Sequence, residues 1–249
     1  MIPLHDDNPT SSLPVVTVSL IVACSLVFLW QLSLPVPDAA VLRFGVIPAV
    51  LLGSASLPPS LEPLPSGLTL ITAMFLHGGW LHLIGNMLFL WIFGNNVEDA
   101  MGPVRFLVFY LLCGIVASLA HAVLLAGSTT PMIGASGAIA GTLGAYVLLH
   151  PYSRVLVLIW LGFFVTTARL PAIVVIGLWI VLQLLNASLD AGGGVAWWAH
   201  VGGFAAGMLL VLVFRRKGVP LLDRARPRAA RPRPNLDRYR PRRRRGPWG

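Results

Sequence analysis

The chain has 249 residues, of which 56% are hydrophobic and only 11% are charged. The net charge of +9 comes from the C-terminal end, because residues 215–249 hold 14 of the 18 Lys and Arg residues. This composition excludes an ordinary soluble domain and indicates a membrane protein. Cys24 and Cys113 both lie in apolar segments, so they predict neither a disulfide framework nor a metal site.

Six apolar runs are candidates for crossing the roughly 30 Å hydrocarbon core of a bilayer. They are Val15–Leu34, Leu68–Phe93, Val104–Leu125, Ser136–His150, Leu170–Leu185 and Trp197–Phe214. The sequence therefore predicts an all-α membrane protein, a six-helix bundle over residues 15–214. Residues 1–14 form a short N-terminal segment, and residues 215–249 form a basic Arg/Pro-rich tail that we expect to be disordered and to attract anionic lipids.

Two connections between these runs are unusual. Residues 35–67, which hold many prolines, form the longest one and are expected to lie half-buried at the membrane surface. Residues 155–165 are apolar but lie between Arg154 and Arg169, too short a stretch for a seventh span. We interpret that stretch as an interfacial segment.

The placement of basic residues predicts the orientation. With both termini in the cytoplasm, the inner loops hold Arg105, Arg154, Arg169 and the tail, whereas the outer loops hold only Arg43. The fourth and sixth runs then begin near the outer face, at Ser136 and about His200. The second run enters from the same side and carries His82 about halfway along. Three polar groups thus converge toward the outer leaflet.

Ser136 and His200 have the chemistry of a nucleophile and its general base, because a neutral imidazole can take a serine proton. The six runs contain no Asp or Glu, so a two-residue dyad is predicted, with the imidazole oriented by packing. Small residues at four-residue spacing predict that the fourth and sixth helices pack closely. These are Gly137 and Gly141 on one helix and Gly203 and Gly207 on the other.

An attacked carbonyl needs hydrogen-bond donors for its developing oxyanion. His82 and Asn86 are four residues apart, on one face of a helix, and both can donate. The backbone N–H of Ser136 is a third donor, because a residue at a helix start has no acceptor in its own helix. His77 is interpreted as a neighbour of His82 or as part of a water entrance.

Four motifs in this chain together resemble those of the rhomboid family of intramembrane serine proteases, in its bacterial six-helix form. They are G-A-S-G at Gly134–Gly137, H-x-x-x-N at His82–Asn86, A-H-x-x-G-x-x-x-G at Ala199–Gly207 and E-x-x-x-G-x-x-R at Glu98–Arg105.

The resemblance implies a serine endopeptidase of the cell membrane that cleaves single-span membrane proteins near the outer face, with no cofactor or metal. It makes Ser136 the nucleophile, His200 the base, and His82 and Asn86 the oxyanion donors. His77, Gly134 and Gly137 would lie beside them. Some family members stack an aromatic residue on the histidine from one turn after the nucleophile, and here that position is Ala140.

Other interpretations remain open from the sequence. A non-proteolytic relative would bind membrane helices, although such proteins generally lack the Ser/His pair. A six-span transporter would be expected to show inverted repeats, and none is evident in the sequence. Nucleic-acid binding by the tail is not expected, because nothing in it reads bases. Glu98 and Arg105 are interpreted as a structural cap or a salt bridge.

Overall fold

A computed structural model describes residues 1–61, 64–189 and 194–223. The prediction of a disordered tail falls mostly outside these ranges and stays a prediction. Within them the chain forms three strands and ten α-helices, most of them in one bundle. The elements are β1 Ile2–Asp6, α1 Val15–Ser33, α2 Pro37–Phe44, α3 Pro48–Leu51, α4 Thr69–Thr72, α5 Trp80–Phe89, α6 Asn95–Met101, α7 Pro103–Leu124, α8 Ser136–Leu149, β2 Arg154–Leu161, β3 Phe164–Pro171, α9 Ala172–Ser188 and α10 Trp197–Phe214.

The long apolar helices agree with a membrane-spanning bundle. Among the described residues, α1, α7 and α10 are each long and apolar enough to cross a bilayer. A fourth candidate is a bent pair of segments, Pro59–Phe75 and Trp80–Met101. The helices α8 and α9 are also apolar but shorter, with 14 and 17 residues. The fold class is thus a helical membrane bundle, and the predicted bounds of its longest helices are correct within about one residue.

The second predicted span differs most from its prediction. It is not one helix from Leu68 to Phe93, because the chain turns by 81° between a 3₁₀ turn that ends at Phe75 and α5, which begins at Trp80. Leu76 has an extended backbone there, and two glycines follow at 78–79. His82 consequently lies in the first turn of α5 and not halfway along a span.

The prediction of a purely helical protein is also incomplete. A three-stranded antiparallel sheet forms in the order β1-β2-β3, and the apolar stretch at 155–165 supplies much of its central hairpin. Val155 and Val157 are fully buried, whereas Trp160, Phe163 and Phe164 at the hairpin tip are exposed. Val155 and Val157 alternate with the half-buried Leu156 and Leu158, which is the pattern of a strand with one covered face.

Asp6 of β1 fastens this sheet to the end of α8. The Tyr146 hydroxyl donates to Asp6 Oδ2 at 2.6 Å, and Asn96 Nδ2 donates to the same oxygen at 2.8 Å. Asn8 in turn donates to Asn96 Oδ1 at 2.8 Å. Burial raises the pKa of the Asp6 carboxyl to about 6. We call Asp6, Asn8, Asn96 and Tyr146 the sheet-end network.

Glu98 acts as a cap, one of its two predicted roles. Its carboxylate accepts hydrogen bonds from the backbone N–H groups of Val16 and Thr17 at 2.9 and 2.8 Å, and from the Thr17 hydroxyl at 2.8 Å. These donors at the start of α1 have no acceptor within their own helix. The alternative, a salt bridge between Glu98 and Arg105, is not formed.

The central helix α8 packs against α10 through contacts that only glycine allows. A Cβ added at Gly203 would collide with the Gly137 carbonyl oxygen, and one at Gly207 would collide with that of Gly141. A Cβ added at Gly137 would lie 2.6 Å from the Ala117 Cβ of α7. These close contacts hold the start of α8 beside the start of α10.

Candidate active site

Ser136 and His200 meet at the starts of α8 and α10. The Ser136 hydroxyl lies 2.8 Å from His200 Nε2, within hydrogen-bond distance. The His200 side chain is buried, with 7% of its surface exposed. An imidazole in this position can accept the serine proton as the hydroxyl attacks a carbonyl.

Gln183 of α9 contacts the other ring nitrogen of this imidazole. His200 Nδ1 lies 2.7 Å from Gln183 Oε1, and Gln183 Nε2 donates to the Trp179 carbonyl oxygen at 3.2 Å. Because an amide oxygen only accepts, the network assigns the ring proton to Nδ1 and leaves Nε2 free to accept from Ser136. The expectation that packing alone orients His200 is therefore incomplete, and sequence reasoning missed Gln183.

Aromatic rings also flank His200, but not from the position one turn after Ser136. The centroid of the Trp179 ring lies 5.6 Å from that of His200, at an interplanar angle of 39°. Trp197 approaches the imidazole edge-on at 6.2 Å. Ala140 is fully buried. The ring contacts on this histidine thus come from α9 and α10.

His82 and Asn86 face the segment directly before Ser136. A Cβ added at Gly134 would lie 2.7 Å from His82 Nε2 and 3.7 Å from Asn86 Nδ2. Gly134 has φ +119°, which other residues rarely adopt, and its N–H donates to the Ala73 carbonyl oxygen at 2.8 Å. Glycine at this position therefore permits the backbone to approach both side chains.

The hydrogen bonds around His82 and Asn86 leave two N–H donors, His82 Nε2 and Asn86 Nδ2, without an acceptor among the described residues. The Gly78 N–H donates to His82 Nδ1 at 3.3 Å, which assigns the ring proton to Nε2, the nitrogen beside Gly134. Asn86 Nδ2 is buried and has no hydrogen-bond partner among the described residues. Buried donors are nearly always paired, so an unpaired one needs an explanation. A ligand oxygen that binds here only during a reaction would provide it.

His77 packs beside His82. The two ring centroids lie 5.1 Å apart. Gln31 of α1 fixes the His77 backbone on both sides, accepting from its N–H at 3.0 Å and donating to its carbonyl oxygen at 3.3 Å. The Ser136 N–H lies at the start of α8, where its own helix offers no acceptor.

An open cavity of about 230 Å³ lies at the end of the bundle where α10 begins. Its walls come from the end of α7, the connection to α8 and the start of α10, and include His121, Met132 and Trp197. Trp197 lines this cavity and also contacts the His200 ring, so one side chain separates the cavity from the imidazole.

Comparisons with known proteins agree with the motifs. The family model described as "Rhomboid domain" matches residues 65–217, which is more than half of the chain. RHOMBOID-like protein 4 of Arabidopsis thaliana is 33% identical over 59% of this chain and 34% of its own length. Rhomboid protease GluP of Bacillus subtilis is 36% identical over 55% of this chain and 24% of its own length.

A mitochondrial relative, Rhomboid protein 1 of Saccharomyces cerevisiae, is 29% identical over 58% of this chain and 41% of its own length. The chain thus spans less than half the length of each of these relatives. The matched region includes α5, α8, α9 and α10, the helices that carry the site. The chain belongs to the rhomboid family.

Proposed function

We propose that this protein is an intramembrane serine endopeptidase in which Ser136 is the nucleophile and His200 is the general base. The observation that carries the proposal is the 2.8 Å contact between Ser136 Oγ and His200 Nε2, with Nδ1 held by Gln183. Gln183 is a positioning residue, because it acts through His200. Membership in a family that includes a named protease is consistent with this function.

In the proposed reaction, Ser136 Oγ attacks the substrate carbonyl as His200 Nε2 takes the hydroxyl proton. The oxyanion accepts hydrogen bonds from His82 Nε2, Asn86 Nδ2 and the Ser136 N–H. His200 then gives its proton to the leaving amine, and an acyl-enzyme remains on Ser136. Water that His200 deprotonates hydrolyses this ester, and the enzyme is restored without any cofactor.

We propose single-span membrane proteins as substrates. A helix hides its carbonyl groups in hydrogen bonds, so the substrate must unwind where Ser136 reaches it. Gly or Pro near the cleavage site lowers the cost of unwinding, since these residues destabilise a helix by about 1 and 3 kcal/mol. Replacing them with Leu in a cleaved substrate is expected to reduce cleavage, and unchanged cleavage would contradict the unwinding step.

We further propose that the protein lies in the cell membrane with both termini in the cytoplasm and the site toward the outer face. The support is the distribution of basic residues, since only Arg43 lies in a predicted outer loop. Labelling of single introduced cysteines at the two ends of α7 with an impermeant reagent tests this orientation in whole cells. Access at the end that carries Arg105 would contradict it.

Cleavage in liposomes tests the function itself. The full chain is reconstituted with a single-span substrate that carries glycine near its outer interface, and the products are followed over time. Ser136→Ala is expected to lower the rate by about 10⁴-fold or more. Ser25→Ala on α1 is the matched control, because its hydroxyl bonds only the Ile21 carbonyl in its own helix, and it is expected to cleave normally.

Equal cleavage by the wild type and Ser136→Ala would overturn the proposal. No cleavage by a correctly folded wild type across a panel of glycine-containing substrates would instead favour a non-proteolytic protein that binds membrane helices.

A further inference from the structure

A cluster of four basic side chains surrounds an open cavity at the end of the bundle away from Ser136. The cavity has a volume of about 570 Å³ and lies between the start of α7 and the end of α10. Its basic lining residues are Arg105, Arg215, Arg216 and Lys217. With about 1.5 Å of rise per residue along α10, Arg215 lies about 22 Å from His200, so this cavity is separate from the proposed active site.

The protein does not neutralise these charges within its described part. There the side chains of Arg105, Arg216 and Lys217 have no hydrogen bond or ion pair, whereas Arg215 Nη1 donates to the Val219 carbonyl oxygen and its Nε is buried without a partner. Three of the described acids are near these cations in sequence, and none forms an ion pair with them. Asp223 lies at the end of α8, where its N–H donates to the Leu149 carbonyl oxygen at 3.0 Å. Glu98 caps α1, and Asp99 accepts hydrogen bonds from Ser11 and Ser12. A group of unpaired cations on one cavity attracts an anion.

Backbone geometry adds donors to the same place. The helix α7 begins at Pro103, so the N–H groups of Val104 and Arg105 have no acceptor in its first turn. Arg216 lies directly over Gly102, where an added Cβ would come 2.8 Å from its Nη2. The Arg216 N–H donates to the Ala100 carbonyl oxygen at 2.9 Å, which holds the chain after α10 against the start of α7.

Apolar side chains on the cavity rim indicate what kind of anion fits. Val104 and Val213 both line the cavity, and 74% and 78% of their surfaces are exposed. A soluble phosphate would gain nothing from this apolar surface. A lipid would place its phosphate among the cations and its acyl chain along the two valines and the lipid-facing sides of α7 and α10.

We propose that this cavity is a binding site for the phosphate head group of an anionic membrane lipid. Arg105, Arg216 and Lys217 bind the phosphate oxygens, together with the free backbone N–H groups at the start of α7. The site is built by the folded bundle, so it differs from a general attraction between the Arg-rich tail and the membrane. It does not depend on the proposed protease activity.

Lipid titration by native mass spectrometry of the full chain tests the site. The variant Arg105→Gln/Arg216→Gln/Lys217→Gln removes three charges that each contribute about 1 kcal/mol near an anionic surface. It is expected to bind phosphatidylglycerol on the order of 100-fold more weakly than the wild type. The wild type is expected to retain one phosphatidylglycerol under conditions that remove phosphatidylcholine.

The matched control removes the same charge from the tail, as Arg242→Gln/Arg243→Gln/Arg244→Gln. We expect it to keep the wild-type affinity. Equal weakening in both variants would show diffuse attraction and overturn the proposal. Equal retention of phosphatidylcholine would do the same, and displacement by millimolar glycerol phosphate would show a site for soluble phosphate.

A smaller change keeps the test valid where the triple variant fails to fold. Arg105→Gln and Lys217→Gln, each alone, are expected to weaken phosphatidylglycerol binding about fivefold. Unchanged affinity in both single variants, with each of them folded, would overturn the assignment of these two side chains.

Discussion

Buried polar groups lack hydrogen-bond partners at one end of α8 and have them at the other. At the end that carries Ser136, the amide nitrogen Asn86 Nδ2 and the ring nitrogen His77 Nε2 are buried without partners. At the other end, Tyr146 and Asn96 both donate to Asp6. A buried polar atom without a hydrogen-bond partner costs stability, and one with a partner does not. The difference is consistent with the proposed reaction at one end and with a structural role at the other.

The largest expected effect is on the unpaired donor at the Ser136 end. Asn86→Ala is expected to lower the cleavage rate by about 10²–10³-fold, because it removes one oxyanion donor. Asn86 Nδ2 has no partner to lose, so the thermal unfolding temperature should stay close to that of the wild type. A large loss of stability together with activity would assign Asn86 a structural role and weaken the contrast between the two ends.

The sheet-end network predicts a pH dependence of stability. Burial raises the pKa of Asp6 from 3.8 to about 6, so folding favours its protonated form. This contribution is complete below about pH 4 and is lost as pH rises through 6, with a total of about 3 kcal/mol. Unfolding measured between pH 4 and 8 should show it as a difference between the wild type and Asp6→Asn.

The exposed Asp38 of α2 offers the matched control for that difference. Asp38→Asn should follow the wild-type pH curve. If Asp6→Asn also follows it, the carboxyl of Asp6 does not titrate as the network predicts.

A loss of cleavage activity is also expected when Gln183 is replaced. Gln183→Leu removes the acceptor that holds His200 Nδ1, and a misplaced base costs about 10²-fold in the cleavage rate. Gln183→Glu keeps an acceptor oxygen and should restore most of the activity. The ¹⁵N chemical shifts of His200 should report a proton on Nδ1 in the wild type and a mixture of tautomers in Gln183→Leu. Identical shifts in both proteins would contradict the positioning role, whatever the cleavage rates.

The smallest effect is expected at Tyr146. In the sheet-end network, Asp6 accepts hydrogen bonds from Tyr146 and Asn96. Tyr146→Phe removes the first of these and should lower the free energy of unfolding by about 1 kcal/mol. Cleavage per folded molecule should not change. Tyr152→Phe, with its ring half-exposed, is the control for loss of a hydroxyl. A strong loss of cleavage in Tyr146→Phe would show that the two ends are coupled through α8.

Hydropathy predicted most of the helical fold, because a long apolar run has few alternatives to a buried helix. It failed where the backbone departs from a straight helix. The turn before Trp80 was hidden inside one apolar run, although the glycines at 78–79 could have indicated it. The β2–β3 hairpin is local, with Gly162 at its turn, and was missed because residues 155–165 were interpreted as an interfacial segment. Only the β1–β2 pairing joins residues about 150 positions apart.

The site was predictable to the extent that its residues form local motifs. Gly134–Gly137 and the pair His82 and Asn86 are short sequence patterns, and the structure brings them together. Gln183 belongs to no pattern, since its relation to His200 arises only from how α9 packs on α10. The one available signal was that it is the single amide side chain in an otherwise apolar run, Leu170–Leu185.

Covalent labelling with a fluorophosphonate tests the central claim without any need for a substrate. The purified full chain is treated with the probe, and the modified residue is located by mass spectrometry. The account predicts modification at Ser136, none in Ser136→Ala, and much slower modification in His200→Ala, which lacks the base. A folded protein that is not modified at Ser136, or is modified at the same rate without His200, would contradict it.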